Sequence, residues 1–178
     1  PSTDGALLVY GKKAIFFTDS RYTEAAAKCI GEENVIDSTN LYDKLGKIFS
    51  ENGVKKVAVE NDKLTLAQFD EIKSKLPGVE FNVSSDLAQA IERIRIVKEN
   101  SEIEKIKAAQ KIAEDAFSHI LTFIKPGVTE KEISLELDFY MLSHGAEALS
   151  FETIAVTGKK PSMPHGVPDD TIVETGDF

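Results

Sequence analysis

A chain of 178 residues, 42% hydrophobic and 29% charged, has room for one domain or two small ones with an apolar core. Its 21 basic and 30 acidic residues leave a net charge of −9, which argues against nucleic acid or anionic lipid as partners, since both need a basic patch. No run approaches the roughly 18 apolar residues of a membrane span, and Cys29 stands alone, which excludes an internal disulfide and fits a reducing cytoplasm.

In chain order, Ala6–Tyr10 and Ala14–Thr18 read as strands around Gly11-Lys12-Lys13, a hairpin signal. Asp19 or Ser20 is expected to cap a helix that runs through Cys29 and ends at Gly31. A short strand follows at Val35–Ile36. Ser38-Thr39-Asn40 then opens a helix with Leu41, Leu45, Ile48 and Phe49 on one face, stopped by Asn52-Gly53. Lys56–Glu60 reads as a strand. Thr65 with Gln68 makes a capping box before a stripe of Leu66, Phe69, Ile72 and Leu76, and Pro77-Gly78 ends that helix. Val79–Val83 alternates as a strand does, and Ser85-Asp86 starts a helix through about Ile94. Strands separated by helices imply a largely parallel sheet with helices on its faces.

The composition changes near Arg93–Glu102, and a domain boundary is expected near residue 95. Ser101 with Glu104 reads as a capping box. The helix behind it presents a broad apolar face: Ile103, Ile106, Ala109, Ala113, Ala116, Phe117, Ile120, Leu121 and Ile124. Lys125-Pro126-Gly127 breaks it. Thr129 with Glu132 opens a further helix carrying Ile133, Leu137, Tyr140 and Met141, ended by Gly145. Thr153–Val156 is a short β-prone run, and Ile172-Val173 follows a polar turn.

The residues alone offer little chemistry. There is no G-x-S-x-G elbow, no G-x-G-x-x-G loop and no H-E-x-x-H pattern. Cys29 lies among Ala25, Ala26 and Ala27 and reads as a packed small hydrophobe. His119, inside the first long helix, reads as a surface or boundary residue, and His144 as a cation suited to a helix C-terminus. His165 differs, because Pro164, Gly166 and Pro168 forbid helix and hold its backbone extended or turned. It is either an imidazole held on a rigid loop for function or a purely structural loop residue. Asp169-Asp170 reads as a solvated turn and Asp177 as a turn entering a strand; neither is assigned to metal.

Several stretches resemble one family in order and spacing. DGALLVYGKKAIFFTDSRY is similar to the hairpin and T-D-x-R-Y segment (Thr18, Asp19, Arg21, Tyr22) of the pita-bread metallopeptidases, the family of Xaa-Pro aminopeptidases, prolidases and creatinase. IRIVKENSEIEKIKAAQKIAEDAF resembles the start of their catalytic domain, and KPGVTEKEI the opening of its next helix. GAEALSFETIAVTGKKPSMPHGVPDDTIVETGDF resembles the substrate-side segment most closely. The resemblance implies an α/β fold: a creatinase-like three-layer α/β/α domain over residues 1–94, incomplete at its start, then the first part of an α+β pita-bread catalytic domain over 95–178.

It also implies a function. His165 matches the family's substrate-contacting His, which helps stabilise the tetrahedral intermediate, and Phe151 matches an aromatic position that lines the pocket or packs in the core. The family's metal-binding Asp residues follow a segment matching Gly176-Asp177-Phe178, with His and Glu ligands later, so no residue here is expected to bind metal. The parent enzyme is expected to use two divalent ions (Mn, Co or Zn), to cleave proline-containing di- or oligopeptides at the Xaa-Pro bond, and to be a cytoplasmic homodimer. This chain is expected to be an internal piece, inactive alone. A bond to proline nitrogen lacks the N–H that many proteases grip. A metal-generated hydroxide with a hydrogen-bond donor to the developing charge offers another route. The alternatives are a non-catalytic binding module on the same fold and a creatinase-like amidinohydrolase.

Overall fold

The computed structural model describes residues 5–178; Asp4, the first residue of the DGALLVYGKK stretch, lies outside them. Two compact units emerge, one up to Ile96 and one from Val97 to Phe178. Among the described residues, no helix is long and apolar enough to cross a membrane.

In the first unit, β1 (Gly5–Tyr10) and β2 (Lys13–Thr18) pair antiparallel in register Tyr10↔Lys13. Gly11 makes the tight turn possible at φ +56°, a left-handed conformation that costs glycine little. Helix α1 (Thr23–Ile30) crosses to β3 (Val35–Asp37), which runs parallel to β2. Phe17 is fully buried on β2. Helix α2 is Leu41–Asn52 and α3 is Leu66–Lys75. Strands β4 (Lys56–Ala58) and β5 (Glu80–Asn82), joined through α3, form a second parallel pair. The parallel pairs have the expected right order, but they belong to two sheets, and the strands of the second are shorter than their apolar runs.

Three local expectations need correction. The α1 helix starts after Tyr22, because Asp19 is engaged in a turn in which its carboxylate accepts from the Arg21 amide and guanidinium. Cys29 is exposed, since α1 buries no residue there. Leu66, in the first turn of α3, is 84% exposed; the buried side begins with Phe69, whose ring meets Phe81 edge-on at 5.9 Å. The Thr65–Gln68 capping box forms as read. Helix α4 (Asp86–Ile96) runs slightly beyond its expected end at Ile94.

The second unit is built on α5 (Asn100–Phe123) and α6 (Glu130–Ser143), joined at Lys125-Pro126-Gly127. The α5 box sits two residues earlier than expected: Glu102 accepts from the Glu99 amide, so Ser101 is already inside the helix. The core is Ile120, Val128 and Ile133, with Phe123, Leu137, Ala155 and Val173 packed around it. Only Ala116 and Ile120 of the broad α5 face are buried, while Phe117 and Leu121 stay exposed. A single neighbouring helix covers only a narrow stripe of another helix.

Candidate functional site

After α6 the chain makes no further strand longer than a bridge; Thr153–Val156, expected as strand-like, forms no strand. The segment is anchored to α6 instead. Thr129 pairs with Ile172 in an antiparallel bridge. Val128 and Val173, and Glu130 and Thr171, are joined by backbone hydrogen bonds. So the end of the segment lies along the start of α6. At its beginning, the Thr153 hydroxyl donates to Asp138 of α6.

Between these ties sits Glu130, whose side chain is fully buried. Its Oε1 accepts from the Thr157 amide at 2.8 Å. Its Oε2 accepts from Lys160 Nζ at 2.7 Å and from the Asp169 amide at 3.1 Å. Lys160 also pairs with the Asp169 carboxylate, which in turn accepts from the Thr171 hydroxyl and amide. Asp169 is held well below the usual carboxylate range, first by the Lys160 ammonium and then by Thr171. Lys160 is pushed up, first by Asp169 and then by Glu130. A carboxylate out of water persists only when its lone pairs are satisfied, and here both oxygens are.

The loop thus held carries His165. His165 lines a cavity of about 480 Å³ whose mostly apolar walls include Phe151, Ile154, Val167 and Pro168, with Glu152 and Thr153 as polar members. Gly166, next to His165, is buried against Val156: a Cβ there would stand 3.0 Å from Val156 Cγ1. Close approach of backbone to side chain is why glycine follows the histidine. The cavity brings Phe151 and His165 together; Phe151 is 73% exposed, so it lines the surface of the site and is no part of the core. An imidazole on an open, apolar-walled cavity can donate or accept one hydrogen bond to a ligand whose remaining surface is apolar.

The other singled-out residues lie elsewhere. His119 Nε2 meets Glu136 Oε1 at 2.6 Å, and Tyr140 stacks between the rings of His119 and His144. His144 Nδ1 lies 2.8 Å from the Tyr140 carbonyl at the end of α6, the expected place for a donor. Asp169 makes the expected solvent-exposed turn, its carboxylate accepting from Thr171, and adds the pair with Lys160. Asp177 accepts from the Thr157 hydroxyl and the Glu174 amide, closing the expected turn. The residues that sequence reasoning missed are Glu130, Lys160, Asp138 and Thr157. Glu130 reads in the sequence as an acidic first-turn residue facing the helix dipole; nothing local signals its burial. Among the described residues, no cluster of three His, Cys, Asp or Glu side chains could hold a metal ion.

Comparison with known proteins places this geometry. The model of the creatinase/prolidase N-terminal domain matches residues 1–97, and that of metallopeptidase family M24 matches 104–178. The chain belongs to the creatinase/prolidase family. An Xaa-Pro dipeptidase from Bacillus anthracis superposes with a TM-score of 0.86 at 39% identity, over 100% of this chain and 49% of that one. An X-Pro aminopeptidase from Thermotoga maritima gives 0.84 at 34% identity, over 97% of this chain and 49% of that one. An uncharacterized peptidase of Bacillus subtilis, YqhT, is 36% identical over 98% of this chain and 49% of its own length. The chain therefore spans about half the length of the relatives it matches. Its fold is the creatinase-type N-terminal domain followed by M24 structure, and metal-dependent peptide hydrolysis is the chemistry of the M24 family.

Proposed function

We propose that this chain supplies the substrate-side wall of an Xaa-Pro peptidase, of dipeptidase or aminopeptidase type, in which His165 contacts the substrate and Phe151 lines its pocket. The observation that carries the reading is the shared cavity, which sets one imidazole among apolar walls suited to a proline ring. His165 donates a hydrogen bond to the substrate carbonyl oxygen as negative charge develops on it. Phe151, Ile154 and Val167 offer apolar contact. Two divalent ions (Mn, Co or Zn), supplied by ligands outside residues 5–178, complete the enzyme, and the chain alone is inactive. The enzyme is a cytoplasmic homodimer. Leu7 and Val9, exposed on one face of β1, offer apolar surface that supports self-association.

The test is His165→Ala in a polypeptide carrying the complete M24 domain, assayed on an Xaa-Pro dipeptide. The expected loss in kcat/KM is about 100-fold, typical of removing one donor to an oxyanion. An unaltered kcat/KM would sink the assignment of His165. Turnover of creatine in place of the dipeptide would favour the amidinohydrolase.

A further inference from the structure

Helix α6 presents one fully buried ionisable side chain, and all three of its hydrogen-bond donors come from the loop that carries His165. Thr157 lies on one side of His165 in sequence and Asp169 on the other. A single carboxylate therefore joins the two ends of the loop: Oε1 holds the Thr157 amide, and Oε2 holds the Asp169 amide. Lys160 crosses between Glu130 and the Asp169 side chain and ties the middle of the loop to the same point. The loop has only a one-turn 3-10 segment, Lys160–Ser162, and no strand pairing of its own. Without the clamp, the Asp169 end would keep the bond its carbonyl accepts from the Lys131 amide, and the Thr157 hydroxyl its bond to Asp177, but the Glu130 carboxylate that bonds the amides at both ends would be gone. Satisfying the N-terminus of α6 does not explain the arrangement, because the Thr129–Glu132 capping box already serves that end.

We propose that Glu130 is a positioning residue: its buried carboxylate closes the 157–169 loop and so sets where His165 stands over the cavity. The proposal rests on the substrate role of His165 given above. Both oxygens are needed. Glutamine keeps the shape but has a single acceptor oxygen, and its NH2 would face a donor on the other side. Glu130→Gln must therefore lose its bond to either the Thr157 amide or the Asp169 amide, and the ammonium of Lys160 loses its buried counter-charge. Ångström-scale misplacement of a contacting group costs on the order of 100-fold in rate.

A double-mutant cycle tests this, with Glu130→Gln and His165→Ala made singly and together in a polypeptide carrying the complete M24 domain. With His165 present, Glu130→Gln is expected to lower kcat/KM about 10- to 100-fold. Once position 165 is alanine, the same change is expected to cost less than about threefold, since two residues acting through one effect do not add. Equal losses in the two backgrounds would overturn the proposal, because Glu130 would then only support the fold. If Glu130→Gln does not fold, Lys160→Gln, at a partly exposed position, enters the same cycle and the same two outcomes decide. If His165→Ala alone leaves kcat/KM unaltered, the reading of His165 fails separately. The clamp is then judged by amide hydrogen exchange: faster exchange at Thr157 and Asp169 in Glu130→Gln supports it, and unchanged exchange overturns it.

Discussion

Two regions of the second unit are held together with different balances of apolar and polar contact. The α5–α6 hairpin closes on an apolar core of Ile120, Val128 and Ile133. The 151–177 segment has almost no regular structure; Ala155 and Val173 pack on that core, and polar side chains of α6, Asp138 and Glu130, reach partners far along the chain to hold the rest. Apolar packing is non-directional and tolerates small shifts. A carboxylate taking three donors fixes angles and distances, so it suits a loop that must hold one imidazole in one place.

The contrast gives its largest effects on stability. Ile133→Ala removes a core side chain and is expected to cost about 3 kcal/mol, with faster amide exchange in α5, α6 and the loop together. Glu130→Ala strands two buried amides and is expected to cost about 2 kcal/mol, with exchange rising at Thr157 and Asp169 while the centre of α5 stays protected. Hydrogen exchange by mass spectrometry reads both. Equal spread of the two effects would erase the distinction between the regions.

The same contrast explains what was legible in the sequence. Helices and two of the caps were, because their signals are local: Thr129 with Glu132 and Thr65 with Gln68 both form as read, while the starts of α1 and α5 shift by a few residues. The parallel strand–helix–strand order was legible from alternation. The ring of His165 could be singled out because its proline and glycine neighbours are themselves a signal. Glu130 could not be, because the thing that makes it special, burial beneath Thr157 and Asp169, depends on residues 27 and 39 positions away. Apolar spacing also misled: the face on α5 predicts burial for Phe117 and Leu121, yet periodicity reports that a face is apolar and says nothing of how much of it a neighbour covers.

A smaller change probes the seam between the two modes. Gly166→Ala would drive its methyl against Val156 Cγ1, 3.0 Å away. Overpacking of this kind is expected to cost about 1 kcal/mol in thermal unfolding. It would also move His165 and lower kcat/KM in the enzyme. Val156→Ala in the same chain makes room and is expected to restore both. If the double variant stays as impaired as Gly166→Ala alone, the close approach is not what requires glycine beside the histidine.

The finest effect is that of pH on the clamp. Asp169 titrates below its ordinary value of 3.8 because Lys160 and Thr171 favour its charged form. A carboxylate depressed in the folded state contributes stability that is complete above 3.8 and is lost as pH falls through the folded value. Lys160 runs the other way: raised above 10.5, it contributes fully below that pH and loses its effect only in stronger alkali. The clamp is therefore at full strength across neutral pH and opens first on the acid side. Both charges touch solvent, so screening keeps the contribution small and salt weakens it. Limited proteolysis of the 157–169 loop is expected to speed up relative to α5 as pH drops below about 4, after correction for the protease's own pH profile. Asp169→Asn is expected to abolish that acid dependence while leaving Glu130 bound to both loop amides. A loop that opens in acid to the same extent with asparagine at 169 would move the titrating group elsewhere and leave the Lys160–Asp169 pair a passive surface contact.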